Sequence, residues 1–192
     1  RRYFTMCLDG VIKQGLLIKN VIKDTEPPKL KKKDIIVLNN TQIETLIEQT
    51  QLIENEFMKK VVPVVIQLAI HTGMRQGEVF GLKWEDVHLN ESCIYIKRSL
   101  AHVVGVGNIL QEPKTKSSKR KILLMKADVE MLKKYKDWQS NEAVLLCNKY
   151  ENHGLVFSNT FGNPLDTGNF VSRYFKPLLK PAGIDNSFTF HG

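Results

Sequence analysis

His71-Thr72-Gly73-Met74-Arg75-Gln76-Gly77-Glu78-Val79-Phe80-Gly81-Leu82-Lys83-Trp84-Glu85-Asp86-Val87 is the stretch on which the reading of this chain turns. An apolar run precedes it, Gly73 stops that run, and a short helix is expected after Arg75, so the arginine falls in a tight connection between two helices. A guanidinium held there is rigid yet faces outward, and its planar fork suits two phosphate oxygens. Glu78, three residues on, is close enough to brace the arginine or the loop. A plain surface ion pair between Arg75 and Glu78 at a helix start accounts for the same spacing.

Upstream, Val61 to Ile70 reads as a buried helix of about ten residues, with Pro63 tolerable only in a first turn and Gly73 at its stop. Before it, Asn39 is placed to cap a helix, Gln42 to complete a capping box and Leu38 to staple against Ile43. Lys23 to Lys33, with Pro27-Pro28 and a run of charges, suits an extended solvated linker. Phe4, Leu8 and Ile12 ahead of Gly15 fit a further helix closed by a glycine, too little to be a domain alone.

Downstream, Ser92 to Met125 has β character. Ile94 and Ile96 alternate with Cys93, Tyr95 and Lys97, Gly105 and Gly107-Asn108 punctuate a turn, and Ile122-Leu123-Leu124 forms a short strand after a basic loop. Together these predict a small antiparallel sheet. Ala127 to Gln139 carries Val129, Leu132, Tyr135 and Trp138 near helical spacing, so an amphipathic surface helix is expected. The pattern as a whole predicts an α+β architecture, mainly α. No internal repeat or low-complexity segment is evident.

With 42% hydrophobic residues, a chain of 192 residues can bury a full core, and its length suggests one domain plus an appendage. Cys7, Cys93 and Cys147 are odd in number and in no Cys-x-x-Cys spacing, which points to reduced thiols in a cytosolic protein rather than to a disulfide framework or a zinc site. His71, His88, His102 and His153 show no metal-ligand spacing, and no glycine-rich phosphate loop ends in Lys-Ser/Thr, so neither a metal nor a nucleotide is suggested. No apolar run approaches the roughly 20 residues that span a bilayer, and the first residues do not read as a signal peptide. A net charge of +8 favours a polyanionic partner, because neutralised phosphates release counterions. Charge of that size also serves mere solubility, so its placement has to decide.

Thr72-Gly73-Met74-Arg75, Gly77-Glu78, Gly81-Leu82-Lys83-Trp84 and Asp86-Val87 together resemble the first arginine box of the tyrosine recombinase (phage integrase) family. The resemblance implies a mainly helical catalytic domain with a small antiparallel sheet, closing on duplex DNA as a C-shaped clamp with a second domain. Arg75 matches the family's catalytic phosphate ligand and Glu78 its supporting acidic position. Glu112 to Lys121 is a basic loop ahead of a strand, and its Lys114-Thr115-x-x-Ser118-x-Arg120 is similar to the family's hairpin bearing the catalytic lysine. Lys114 takes that position as general acid, with Lys116 the rival in another register, while Lys116, Lys119 and Arg120 are expected on the DNA backbone. The tail from Gly154 to Phe190 resembles the approach to a His-x-Leu-Arg box, which makes His191 its histidine; a merely exposed terminal histidine is the other reading.

The same resemblance assigns residues 1–22 to the end of a core DNA-binding domain, 23–34 to an interdomain linker and 35–192 to a catalytic domain incomplete at its C-terminus. The family's second arginine and nucleophilic tyrosine are expected after Gly192, since Tyr3, Tyr95, Tyr135, Tyr150 and Tyr174 all precede His191 and fall outside the nucleophile motif. A site-specific recombinase or integrase of a mobile element is implied, working through a 3′-phosphotyrosyl link that requires no cofactor. Double-stranded attachment sites, a tetramer on DNA and a cytoplasmic, nucleoid-associated location follow from it. A non-catalytic DNA-binding relic or regulator keeps the same clamp without the chemistry. A helix-turn-helix regulator requires a recognition helix with base-reading side chains, and none stands out.

Overall fold

The computed structural model describes residues 1–26, 37–103, 105–112 and 119–190. The chain divides into two compact units, Arg1–Ile35 and Ile36–Gly192. In the first, helix α1 (Arg2–Lys13) ends just before Gly15, whose N–H donates to Ile12 O at 2.9 Å while Leu16 N–H reaches back to Val11 O at 3.2 Å. That pair of bonds satisfies carbonyls that any helix end leaves open. The buried Asn20 donates to Thr5 O at 3.0 Å and to Asp9 Oδ1 at 2.8 Å, folding the next turn back onto the helix.

The second unit begins with α2 (Asn40–Gln49), closed by the predicted box: Gln42 N–H donates to Asn39 Oδ1 at 2.8 Å and Asn39 N–H to Gln42 Oε1 at 3.1 Å. Helix α3 (Glu56–Thr72) is 17 residues long rather than about ten, because Asn55 caps it by accepting Met58 N–H at 2.9 Å. Pro63 therefore lies in its interior, not its first turn. An interior proline costs about 3 kcal/mol. Val61, Val62, Val65 and Leu68 on the same helix are fully solvent-free, and burial of each contributes about 1.5–3 kcal/mol, so packing outweighs the lost bond. Gly73, in the left-handed region at φ 61°, stops the helix, and α4 (Gln76–Phe80) follows at once.

Among the described residues five short strands come next: β1 (Val87–His88), β2 (Cys93–Ile96), β3 (Ser99–Val103), β4 (Gly107–Gln111) and β5 (Arg120–Leu123). They form not one sheet but two, an antiparallel β1-β2-β5 sheet and a separate β3-β4 hairpin. The break falls at Lys97 and Arg98, whose side chains pair with the buried Asp86 at 2.8 and 3.2 Å. Strand β5 pairs with β2 in the register Ile96↔Arg120 to Cys93↔Leu123.

Helix α5 (Lys126–Leu146) runs past its expected end at Gln139. That glutamine is no surface terminus: it is buried, accepts Trp84 Nε1–H at 2.7 Å and donates to Val156 O at 3.0 Å and Ser158 Oγ at 3.2 Å. The chain closes with α6 (Thr167–Phe170), a π-helical segment Val171–Phe175 and α7 (Lys176–Leu179), whose Phe170, Phe175, Leu178 and Leu179 join the core.

One packing detail positions the helix after Arg75. A Cβ on Gly77 would lie 2.7 Å from Leu100 O, and one on Gly81 would lie 2.7 Å from Leu100 N. Helix α4 thus rests directly on the backbone of β3, which only glycines at those places permit. Gly81→Ala is expected to destabilise the protein by about 1–3 kcal/mol through overpacking, read as a lowered denaturant midpoint. A rise in midpoint, as the better helix propensity of alanine alone would give, would contradict the close approach.

Candidate functional site

Arg75 stands at the N-cap of α4 with extended backbone (φ −67°, ψ 151°), directly after Met74, whose side chain is buried and pins the turn. The backbone N–H of Arg75 donates to Glu78 Oε2 at 2.9 Å, and its Nη1 donates to Glu78 Oε1 at 3.2 Å. The carboxylate is almost fully buried (4% exposed), whereas the Arg75 side chain is 68% exposed. The guanidinium is therefore tethered at its base and open to solvent at its face.

A second arginine reaches the same carboxylate from another element. Arg120, the first residue of β5, donates from Nη1 to Glu78 Oε1 and from Nη2 to Glu78 Oε2, both at 2.9 Å. Two carboxylate oxygens offer about four acceptor positions, and these four bonds occupy them. Burial is the largest influence on Glu78 and pushes its carboxyl up, but the hydrogen bonds from Arg120 and from Arg75 N–H, with the charge of Arg120, together hold it below the ordinary glutamate value. In return the hydrogen bond to Glu78 raises Arg120 above its usual value. One negative charge shared by two permanent positive ones leaves the cluster with a net positive charge turned outward through Arg75.

An apolar cleft of about 650 Å³ adjoins Arg75, lined also by Leu38, Ile66, Ala69, Phe175, Phe188 and Phe190. Phe190, the residue before His191, packs its ring 5.3 Å from Phe175 and 6.2 Å from Phe170, so the chain arrives at the cleft on which Arg75 borders. Lys119 forms a surface ion pair with Glu112 at 2.9 Å. Lys114, Lys116 and His191 lie outside the described residues. The structure thus brings Arg75, Glu78 and Arg120 into one cluster.

Two features had no counterpart in the sequence reading. Arg120 spends both terminal nitrogens on Glu78; the only hint was its closing place in the Lys-Thr-x-x-Ser-x-Arg pattern. Asp128, buried at the start of α5, accepts Met125 N–H at 3.1 Å and meets His71 Nδ1 at 2.6 Å, tying the last turn of α3 to α5. No local signal links residues so far apart in sequence. Tyr135 is buried, and burial first and the Tyr150 phenol second push its hydroxyl up, the opposite of what a nucleophile needs. Among the described residues no group of three His, Cys, Asp or Glu side chains could hold a metal ion, and no helix is long and apolar enough to cross a membrane.

A mainly helical domain with small antiparallel sheets is the architecture of a tyrosine recombinase catalytic domain. The chain belongs to the phage integrase family, whose profile matches residues 37–192. It is 30% identical over 168 residues to a tyrosine recombinase XerC-like protein of Caldanaerobacter subterraneus subsp. tengcongensis, covering 78% of this chain and 43% of that one. It is 34% identical over 124 residues to an integrase of Streptomyces ambofaciens, covering 64% of this chain and 32% of that one. The chain thus spans less than half the length of these relatives.

Among solved structures, the Tn1549 transposon integrase in complex with transposon right end DNA superposes with a TM-score of 0.71 at 20% identity, over 93% of this chain and 57% of that one. A lambda integrase tetramer bound to a Holliday junction gives 0.57 at 19% identity, over 94% and 44%. At these identities the likeness is one of fold, and it bears out the fold class read from the sequence.

The carboxylate at the centre of the cluster yields a stability prediction. Because Glu78 is held below its ordinary value when folded, its contribution is present above that value and is lost as pH falls through the depressed one. Glu78→Gln is expected to cost about 2 kcal/mol near neutrality, the loss of charge-assisted bonds, and less in acid strong enough to fall below the depressed value, where the native carboxyl itself takes up a proton. Denaturant midpoints of both proteins at the two pH values check this; equal losses at both would show that the charge is not what matters.

Proposed function

We propose that this chain forms the greater part of the catalytic domain of a site-specific DNA recombinase or integrase of a mobile element, which cleaves and rejoins duplex DNA through a 3′-phosphotyrosyl intermediate. The observation that carries the reading is the Glu78 carboxylate, which holds Arg75 outward and binds the arginine that closes the Lys-Thr-x-x-Ser-x-Arg pattern. The nucleophile is a tyrosine other than the five in these 192 residues. Its oxygen attacks the scissile phosphorus, the bond to the 5′ oxygen breaks, and Lys114 delivers the proton that the departing oxygen takes up.

In this scheme Arg75 stabilises the charge that grows on the non-bridging oxygens, where one preorganised donor is worth about 3–4 kcal/mol of barrier. His191 assists proton transfer next to the nucleophile. Lys116 and Lys119 meet the DNA backbone. Residues 1–22 complete a core DNA-binding domain, 23–34 link it to the catalytic domain that begins at residue 35, and four full-length protomers assemble on paired attachment sites at the nucleoid.

In the full-length protein, Arg75→Ala is expected to abolish covalent attachment to a nicked duplex suicide substrate, by a factor of about 100–1,000, with binding only modestly weakened. Normal attachment by that variant would overturn the role, and tight binding without attachment by the unaltered protein would instead favour a DNA-binding relic. Neutralising Lys116 and Lys119 together is expected to flatten the dependence of log K on log salt by roughly 0.9 for each DNA phosphate left unneutralised. A slope that stays the same would mean that neither lysine touches phosphate.

A further inference from the structure

Arg120 was expected on the DNA backbone, but its geometry supports a different role. We infer that Arg120 is a positioning residue, which saturates Glu78 so that the guanidinium of Arg75 stays turned outward, and which binds no phosphate itself. The inference deepens the reading of Arg75 as a phosphate ligand and rests on it.

The two arginines hold Glu78 unequally. Arg120 presents a two-pronged fork, each terminal nitrogen 2.9 Å from a different carboxylate oxygen, with its side chain one-third exposed. Arg75 contributes a single side-chain bond of 3.2 Å to the oxygen that Arg120 Nη1 also occupies. A planar guanidinium and a carboxylate pair best in the two-pronged arrangement. A buried Glu78 without Arg120 would leave acceptor positions empty, and the nearest cation to fill them is Arg75. Its second terminal nitrogen would then swing onto the carboxylate, converting an open fork into a closed ion pair.

Both partners of the clamp are fixed independently of Arg75. Arg120 is held by the β2–β5 ladder opposite Ile96, and Glu78 sits on the helix that lies flush on β3 through Gly77 and Gly81. The bond between them joins β5 to α4 across 42 residues of sequence, so Arg75 inherits its aim from the sheet.

The test uses the full-length protein, a nicked duplex substrate, and the variants Arg120→Gln and Arg120→Lys, with Arg75→Ala as reference. At saturating DNA, Arg120→Gln is expected to slow covalent attachment by a factor on the order of 100, the size of effect a misplaced reacting group produces, while the salt dependence of binding keeps its slope. Arg120→Lys, which keeps one donor on Glu78, is expected to recover part of that rate and decides the matter should the glutamine variant fail to fold. A slope reduced by the equivalent of about one neutralised phosphate, with attachment at saturating DNA unchanged, would make Arg120 a phosphate ligand and overturn the inference. So would unchanged attachment in both variants. Attachment that survives Arg75→Ala would instead remove the reading on which the inference rests.

Discussion

A single buried carboxylate with two guanidinium groups on it is the constraint around which the face bearing Arg75 is arranged. Glu78 is too well shielded from water to remain charged alone, since an unpaired buried carboxylate would take up a proton. Its charge survives because Arg75 and Arg120 satisfy it, and they are aligned because it is charged. The four bonds converge on one carboxylate, which makes the cluster a unit rather than a set of surface ion pairs.

The elements that lead into the cluster are closely packed. The solvent-free valines of α3 fix the helix that leads into Gly73, and buried Met74 fixes the turn after it. The glycines of α4 allow it to touch the β3 backbone, so the inserted hairpin supports Arg75 from behind. Asp128 and His71 join α5 to the end of α3 a few residues before the arginine. The phosphate-binding role proposed for Arg75 would gain from such rigidity, because donors that need no rearrangement stabilise developing charge at the least cost.

Membership of the phage integrase family accounts for the order of the elements, and the physical reading accounts for their details. The stretch that resembles the family's first arginine box coincides with the turn where spacing allowed either a rigid outward guanidinium or a plain surface ion pair with Glu78. The strands divide into two sheets where Lys97 and Arg98 pair with the buried Asp86.

Local chemistry was readable from the residue order: the box at Asn39 and Gln42, the stops at Gly15 and Gly73, the short helix after Arg75 and the alternation of Ile94 and Ile96. These depend on neighbours within four residues, and a capping oxygen or a residue free to take positive φ acts at that range whatever surrounds it. The interior place of Pro63, the inward turn of Gln139 and the capture of Arg120 by Glu78 were not readable. Each is a contest between a local preference and partners dozens of residues away, as when burial of Val61 and Leu68 overrides a proline. The outcome depends on which side chains the folded chain brings within hydrogen-bond reach, and around Arg75 that was the meeting of β5 with α4 on one carboxylate.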